Sequence, residues 1–488
     1  MQFLKIVVVV FFISQSGCRQ PVERPNIILI VTDDLDRRSV DLMPNLQALV
    51  AGPGATFTNY FANVALCCPA RASILRGQYA QNHQVKTNRA PLGGFEKFRE
   101  LGHENSTIAT WLQTAGYRTA LFGKYLNDYP GDSPTHIPKG WDEWYGLIQE
   151  RTRHYFNYDM NANGKIVSYG DEPEDYETDV LSRQAADFIR RNRTQPFFIY
   201  LATSAPHSPS VPAPRHGKEF QGFKAPSPPS FNEADLSDKP EWVRNKTGLS
   251  DTEIAQLDKG YRRRLQSLRA VDEMIENLIA TLEVEEQLEN TYLFFVSDNG
   301  FHRGEHRIVS GKNTPYDEST NVPLLVRGPG VSSGQKIEHL VQDVDLAPTF
   351  AELAGATAGD FVDGRSFGPL LKNNPPPANA WRQAALITHG WRQGLFFEHG
   401  IEHNSKNDRQ DTPAFQALRT KDYLYVEYTT TDECELYDVH KDPYQLQNLY
   451  ATTDSVLIAQ LAKQLAILSK CAGADCFITT MENGYGKN

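Results

Sequence analysis

The chain has 488 residues, longer than one typical compact core, which predicts a large domain with a smaller companion. Forty per cent of the residues are apolar and 22% are charged, an ordinary globular balance. A formal net charge of −11 argues against a nucleic-acid partner or a general polyanion-binding surface. An anionic ligand would have to be attracted locally, by a cluster of cations and a metal.

Met1 to Lys5 form a weakly basic start, and the apolar run Ile6 to Ile13 is too short to span a bilayer. Residues 1–18 are therefore expected to be a signal peptide. The segment Gln15-Ser16-Gly17-Cys18 resembles a bacterial lipobox, which implies export to the periplasm or cell surface with a lipid tether on Cys18. Gln15 stands where Leu is usual, so simple secretion is the alternative.

Asn26 to Thr32 is a β-branched run of buried-strand composition ending in Asp33-Asp34, and a helical pattern follows from Asn45. Ser106-Thr107 caps a helix through Trp111 and Leu112 that Gly116 ends. Further strands are predicted over 118–122, running into Gly123-Lys124, and over 196–202, ending in Pro206-His207. Helices are predicted over 180–191 and 252–282, with the Pro- and Ser-rich stretch 206–240 between them covering a site or remaining mobile. A fourth strand, 292–297, ends in Asp298-Asn299-Gly300, and a fifth spans 322–326. Strands alternating with helices imply an α/β domain over 24–372 with a mainly parallel central sheet flanked by helices. Pro375-Pro376-Pro377 marks a boundary, and the short β patterns and closing helix beyond it form a C-terminal α+β subdomain over 380–482. Cys471 and Cys476 are close enough for a small disulfide loop; zinc is the rival reading, but no histidines accompany them.

In open α/β sheets, sites form beyond the carboxyl ends of strands. Asp33, Asp34, Asp298 and Asn299 lie at such ends and form a hard, oxygen-only set that suits Ca²⁺ or Mg²⁺ better than Zn²⁺. Each pair alone has a bland reading, since Asp-Asn-Gly is commonly a turn and Asp-Asp can cap the next element. Between them in sequence lies Cys67-Cys68-Pro69-Ala70-Arg71. Pro69 fits the first turn of a helix, Arg71 lies about one turn beyond Cys67, and the helix N-terminus favours anions there.

The run Cys67-x-Pro69-x-Arg71 through Gly77 resembles the sulfatase signature, whose first cysteine is oxidised to Cα-formylglycine by a maturation enzyme. The continuation through Gln78-Tyr79-Ala80-Gln81-Asn82-His83 resembles the subgroup of N-acetylglucosamine-6-sulfatases and heparan sulfate 6-O-endosulfatases. The resemblance extends to Glu435-Leu436-Tyr437-Asp438 and implies an alkaline-phosphatase-like fold. It implies one metal, typically Ca²⁺ with Mg²⁺ less favoured, bound by Asp33, Asp34, Asp298, Asn299 and the modified Cys67. An aldehyde hydrate offers one hydroxyl to attack sulfur and a second to expel sulfate afterwards, an exit a thiol lacks.

The resemblance also implies that Arg71 holds the hydrated aldehyde, that Lys124 and Lys312 contact sulfate, and that His207 protonates the leaving group or binds sulfate. Outside the resemblance, a lone Lys is usually solvated and a lone His an ordinary loop residue. Many sulfatases carry a histidine two residues after the first lysine; Leu126 stands there in this chain, followed by Asn127. His83 and His302 are candidates for the missing base or for sugar contact, and Asn127 for substrate contact. The implied activity is hydrolysis of a sulfated glycan of the N-acetylglucosamine-6-sulfate type. One alternative is a phosphodiesterase or phosphonate monoester hydrolase on the same scaffold, although Asn299 stands where two-zinc phosphatases need a histidine. The other is an inactive glycan-binding lipoprotein.

Overall fold

The computed structural model describes residues 24–148, 155–390 and 412–477. The expected signal peptide, Cys18 and the end of the C-terminal segment lie outside the described residues.

A ten-stranded sheet forms the middle of the molecule. Five parallel strands make its centre, in spatial order Glu143–Leu147, Arg118–Gly123, Phe197–Ala202, Asn26–Thr32 and Thr291–Ser297. All seven residues of Asn26–Thr32 are buried, as expected for a strand covered on both faces. The period of two divides its side chains: Ile27, Leu29 and Val31 enter one hydrophobic core, while Ile28 and Ile30 enter the other. The 34-residue helix Asp251–Val284 covers the second face, and a Ser250–Glu253 capping box starts it.

Each flank joins the parallel centre through an antiparallel pair. Leu324–Arg327, expected as one more strand of a mainly parallel sheet, pairs antiparallel with Thr291–Ser297. The cause is the connection: residues 298–323 stay at the end of the sheet where Ser297 emerges, so the chain re-enters from that same end. Asp159–Ala162 and Lys165–Ser168 form an antiparallel hairpin at the opposite flank.

Beyond Lys372 the chain builds a four-stranded antiparallel sheet, Ala384–His389, Phe415–Thr420, Tyr423–Tyr428 and Cys434–Asp438. Its apolar residues join Val243, Ile308 and Tyr316 from the large unit in one core. Glu435, fully buried, accepts hydrogen bonds from Tyr316 (2.8 Å), Tyr428 (2.7 Å) and Tyr437. The helix Ser455–Leu468 closes the unit, followed by a Cys471–Cys476 disulfide.

Candidate active site

Parallel register brings the two acidic pairs together. Thr32 lies beside Ser297, so Asp33-Asp34 and Asp298-Asn299 leave neighbouring strands at the same level. Asp34 has a positive φ of 65°, a conformation aspartate tolerates better than most residues, and its N–H donates to Asp298 Oδ1 at 3.1 Å. Arg118–Gly123 and Phe197–Ala202 deliver Lys124 and, a few residues on, His207. Gly123 is required by contact: a Cβ there would lie 1.9 Å from the Ala202 carbonyl oxygen. The helix Cys67–Arg76 starts at the cysteine and ends at Gly77 in the left-handed region.

These residues converge on one sulfur. Lys312 Nζ donates to Cys67 Sγ and to Asp34 Oδ1, both at 2.6 Å. The thiol donates to Asp33 Oδ1 at 3.4 Å, and Lys124 Nζ bonds Asp33 Oδ2 at 2.5 Å. Arg71 Nε donates to Asp298 Oδ2 at 2.9 Å and its Nη1 to the Lys124 carbonyl at 3.0 Å. Arg71 Nη2 is buried without a hydrogen-bond partner among the described residues. His207 Nε2 stands 3.6 Å from Asp34 Oδ2, and its side chain is 21% exposed, whereas Asp34 is only 2% exposed.

Burial alone would raise the Asp33 pKa, but Lys124, His207, Arg71 and Lys312 outweigh it and hold the carboxyl well below its usual range. For Asp298, burial and the neighbouring Asp33 prevail and the pKa rises. Burial opposes the Lys124 ammonium, yet Asp33 beside it stabilises the charge and lifts the pKa above the ordinary lysine value. Burial, with Asp33 next, pushes the Cys67 thiol well above its normal range, so unmodified Cys67 is a neutral thiol.

Two sequence candidates, His83 and His302, have their hydrogen-bond partners away from residue 67. His83 is fully buried, with Nε2 at 3.0 Å from Ser73 Oγ and Nδ1 accepting from Val85 N at 3.1 Å. His302 is fully buried too; its ring Nε2 meets Thr314 Oγ1 at 2.7 Å and its backbone N–H donates to the Gly311 carbonyl at 2.7 Å. With no exposed surface, neither ring is available for sugar contact; one braces the signature helix and the other the Lys312 loop. Asn127 is half-buried, its carbonyl accepting from Phe95 N at 2.7 Å. Leu126 lies in the hydrophobic core, so the position after Lys124 that carries histidine elsewhere has turned inward.

Two contributors escaped the sequence reading. Arg264, on the long helix, donates to the Asp34 carbonyl and, at 3.1 Å, to the Pro206 carbonyl. Glu177, 1% exposed, accepts from Ser204 N at 2.9 Å below the His207 turn, while Tyr155 Oη donates to the His207 carbonyl at 2.6 Å. Their partners are backbone groups distant in sequence, which leave no local motif.

The cluster offers the donor atoms to hold a metal ion. Ligand atoms of Asp33, Asp34, Cys67 and His207 lie within 4.8 Å of one another. Asp298 joins them through the Asp34 amide, and Asn299 through a 2.6 Å bond from Nδ2 to Asp34 Oδ1. Asn299 Oδ1 is a buried acceptor with no partner among the described residues, the kind of orphan an ion satisfies.

Carboxylates, two lysines and an arginine surround one residue at the strand ends of a mixed sheet with the alkaline-phosphatase-like architecture. The sulfatase family model matches residues 25–356, and the model for the C-terminal part of N-sulphoglucosamine sulphohydrolase matches 304–470. An N-acetylglucosamine-6-sulfatase of Capra hircus is 34% identical over 487 residues, covering 94% of this chain and 86% of that protein. A solved structure in complex with its substrate D-glucosamine-2-N,6-O-disulfate superimposes with a TM-score of 0.73 at 26% identity, covering 91% of this chain and 97% of the other. A phosphonate monoester hydrolase from Silicibacter pomeroyi, at 24% identity and TM-score 0.71 over 90% of this chain and 94% of its own, shares the fold. The chain belongs to the sulfatase family and is a sulfuric ester hydrolase.

Proposed function

We propose that this sulfatase removes sulfate from a sulfated glycan, with 6-O-sulfated N-acetylglucosamine as the preferred unit. In this reading a maturation enzyme converts Cys67 to Cα-formylglycine, and Asp33, Asp34, Asp298 and Asn299 hold one Ca²⁺. The observation that carries it is the ring of cations on residue 67: Lys312 at 2.6 Å from its sulfur, Lys124 on Asp33, and Arg71 braced by Asp298. The hydrated aldehyde supplies an oxygen nucleophile for sulfur, and the cation lowers the pKa of that oxygen.

Arg71, fixed between Asp298 and the Lys124 carbonyl, orients the nucleophilic oxygen with Nη2, which stands 4.0 Å from Asp33 Oδ2. Lys124 and Lys312 bind the sulfate oxygens and stabilise charge on the group in transfer. His207, at the exposed edge, donates a proton to the departing sugar oxygen. Export with a lipid tether on Cys18 accompanies this role; among the described residues no helix is long and apolar enough to cross a membrane.

Mass spectrometry of the peptide spanning Cys67 tests the modification. Sulfate release from defined sulfated monosaccharides, beside an aryl phosphodiester control, tests the chemistry. Converted protein that leaves every sulfate ester intact yet cleaves the phosphodiester would overturn the proposal.

A further inference from the structure

A cavity of about 180 Å³ is lined by Asp36, Arg38, Phe301, Arg303 and Glu305 among others. Arg264 links it to the cluster: its guanidinium bonds the Asp34 carbonyl and stacks at 5.0 Å over the ring of Phe301, which lines the cavity. The same two strand ends feed both. Asp36 lies two residues beyond Asp34 and Phe301 two beyond Asn299, and both line the cavity.

Its carboxylates have partners of their own. Asp36 accepts from Ser39 N at 3.0 Å and Ser39 Oγ at 2.7 Å, and Asp317 accepts twice from Arg419 at 3.2 Å. Glu305 accepts from Arg303 N at 2.6 Å, and Glu318 from Ser230 Oγ at 3.3 Å. Two arginines are less well served. Arg303 Nε has no partner among the described residues, and Nη2 reaches the Leu257 carbonyl only at 3.5 Å. Arg38, with 41% of its side chain exposed, pairs with Glu305 only at 3.9 Å. Arg38 and Arg303 therefore retain donor capacity that an anion in the cavity would use.

The room for Arg303 is built into the long helix. A Cβ at Gly260 would stand 2.5 Å from Arg303 Nη2, so a residue that weakens a helix interior clears space for the guanidinium. The buried rings of Tyr261 and Phe301 lie 6.0 and 5.9 Å from it and help to hold the guanidinium in place. Burial, with Glu305 beside it, raises Glu318 to about 8, which reduces the negative charge facing the cavity at neutral pH.

We propose that this cavity is a second anion-binding subsite, in which Arg38 and Arg303 hold the sulfate or carboxylate of a sugar neighbouring the one desulfated at residue 67. The proposal rests on the glycan sulfatase reading above and extends it to substrate length.

The test compares kcat/KM on a 6-O-sulfated N-acetylglucosamine monosaccharide with that on two tetrasaccharides, for wild type, Arg38→Ala and Arg303→Gln. One tetrasaccharide alternates 6-O-sulfated glucosamine with uronate; the other alternates 6-O-sulfated N-acetylglucosamine with galactose. The tetrasaccharide-to-monosaccharide ratio is expected to fall about tenfold in the variants, through KM, as for loss of one charge-assisted hydrogen bond. A fall confined to the uronate chain assigns the bound group as carboxylate, and a fall on both assigns it as sulfate. An unchanged ratio in Arg38→Ala, whose exposed side chain makes a folding defect remote, overturns the subsite. Calorimetric titration of the Cys67→Ala protein with each tetrasaccharide, with and without Arg38→Ala, reads the same contact without turnover. Equal affinities there overturn the subsite, whereas wild type inert on every sulfated sugar overturns the function itself.

Discussion

Asn299 donates its side-chain amide to Asp34 across 2.6 Å and leaves its own buried Oδ1 without a partner among the described residues. If that oxygen faces calcium, saturating Ca²⁺ raises the Tm of wild type, through a gain in unfolding free energy of about 2.7 kcal/mol at a hundredfold excess over Kd. Asn299→Leu keeps the volume, removes the acceptor and shrinks the shift. A calcium-dependent shift of full size in Asn299→Leu would remove this side chain from the ligand set.

Replacing residue 67 separates fold from chemistry. Cys67→Ala is expected to melt close to wild type while sulfate release drops by roughly 10³-fold or more, as when an enzyme loses its nucleophile. Turnover in Cys67→Ser equal to wild type would refute the aldehyde hydrate.

Lys124 has two duties, and Lys124→Met exposes both. Asp33 loses its shortest ion pair in a buried setting, which costs about 3–5 kcal/mol, and kcat falls by about 10²–10³-fold. Added calcium is expected to recover part of the stability and none of the rate. Denaturation curves and initial rates, each with and without the ion, distinguish the two.

Glu177 gives stability a slope between about pH 4.5 and pH 7. Burial raises its pKa to about 7 despite the Ser204 contacts, so the folded protein retains a proton that the unfolded chain releases near pH 4.5. Between these values the native state binds more protons, and the contribution is complete below about 4.5 and lost as pH rises through 7. The difference amounts to about 3 kcal/mol. In Glu177→Gln this component is absent, so wild type should lose stability relative to the variant from pH 5 to pH 8. Parallel denaturation curves at the two pH values would contradict it.

The disulfide reaches the signature region through one carboxylate. Asp363 accepts from Gly473 N at 2.6 Å inside the disulfide loop, and from Tyr79 N and Asn82 Nδ2 at 2.8 and 2.7 Å. Opening the five-residue separation in Cys471→Ser/Cys476→Ser is expected to cost about 2 kcal/mol. An unchanged urea midpoint would mean that these hydrogen bonds alone hold the segment.

The central strands were legible because burial on both faces writes itself as continuous β-branched runs, and the acidic pairs because each follows such a run. Strand direction at the flank was not, since the composition of 324–327 is the same whichever way it pairs. His83 stands so near the signature that it invites a chemical role, yet the helix turns it onto Ser73, and periodicity alone does not reveal which face a four-residue helix presents. Glu177 and Arg264 act on carbonyls and amides that any residue could supply. Such contacts become visible only when the chain is folded.

The bond from Tyr316 to Glu435 bears on how this enzyme could be re-engineered. Lys312 and Tyr316 share one loop, and that loop is anchored on a carboxylate belonging to the small sheet. A chimera that imports the small sheet from another sulfatase without an acceptor at position 435 would strand three tyrosine hydroxyls and loosen Lys312, the lysine proposed to bind sulfate. Grafting here has to carry catalytic and C-terminal segments together, as one inheritable block.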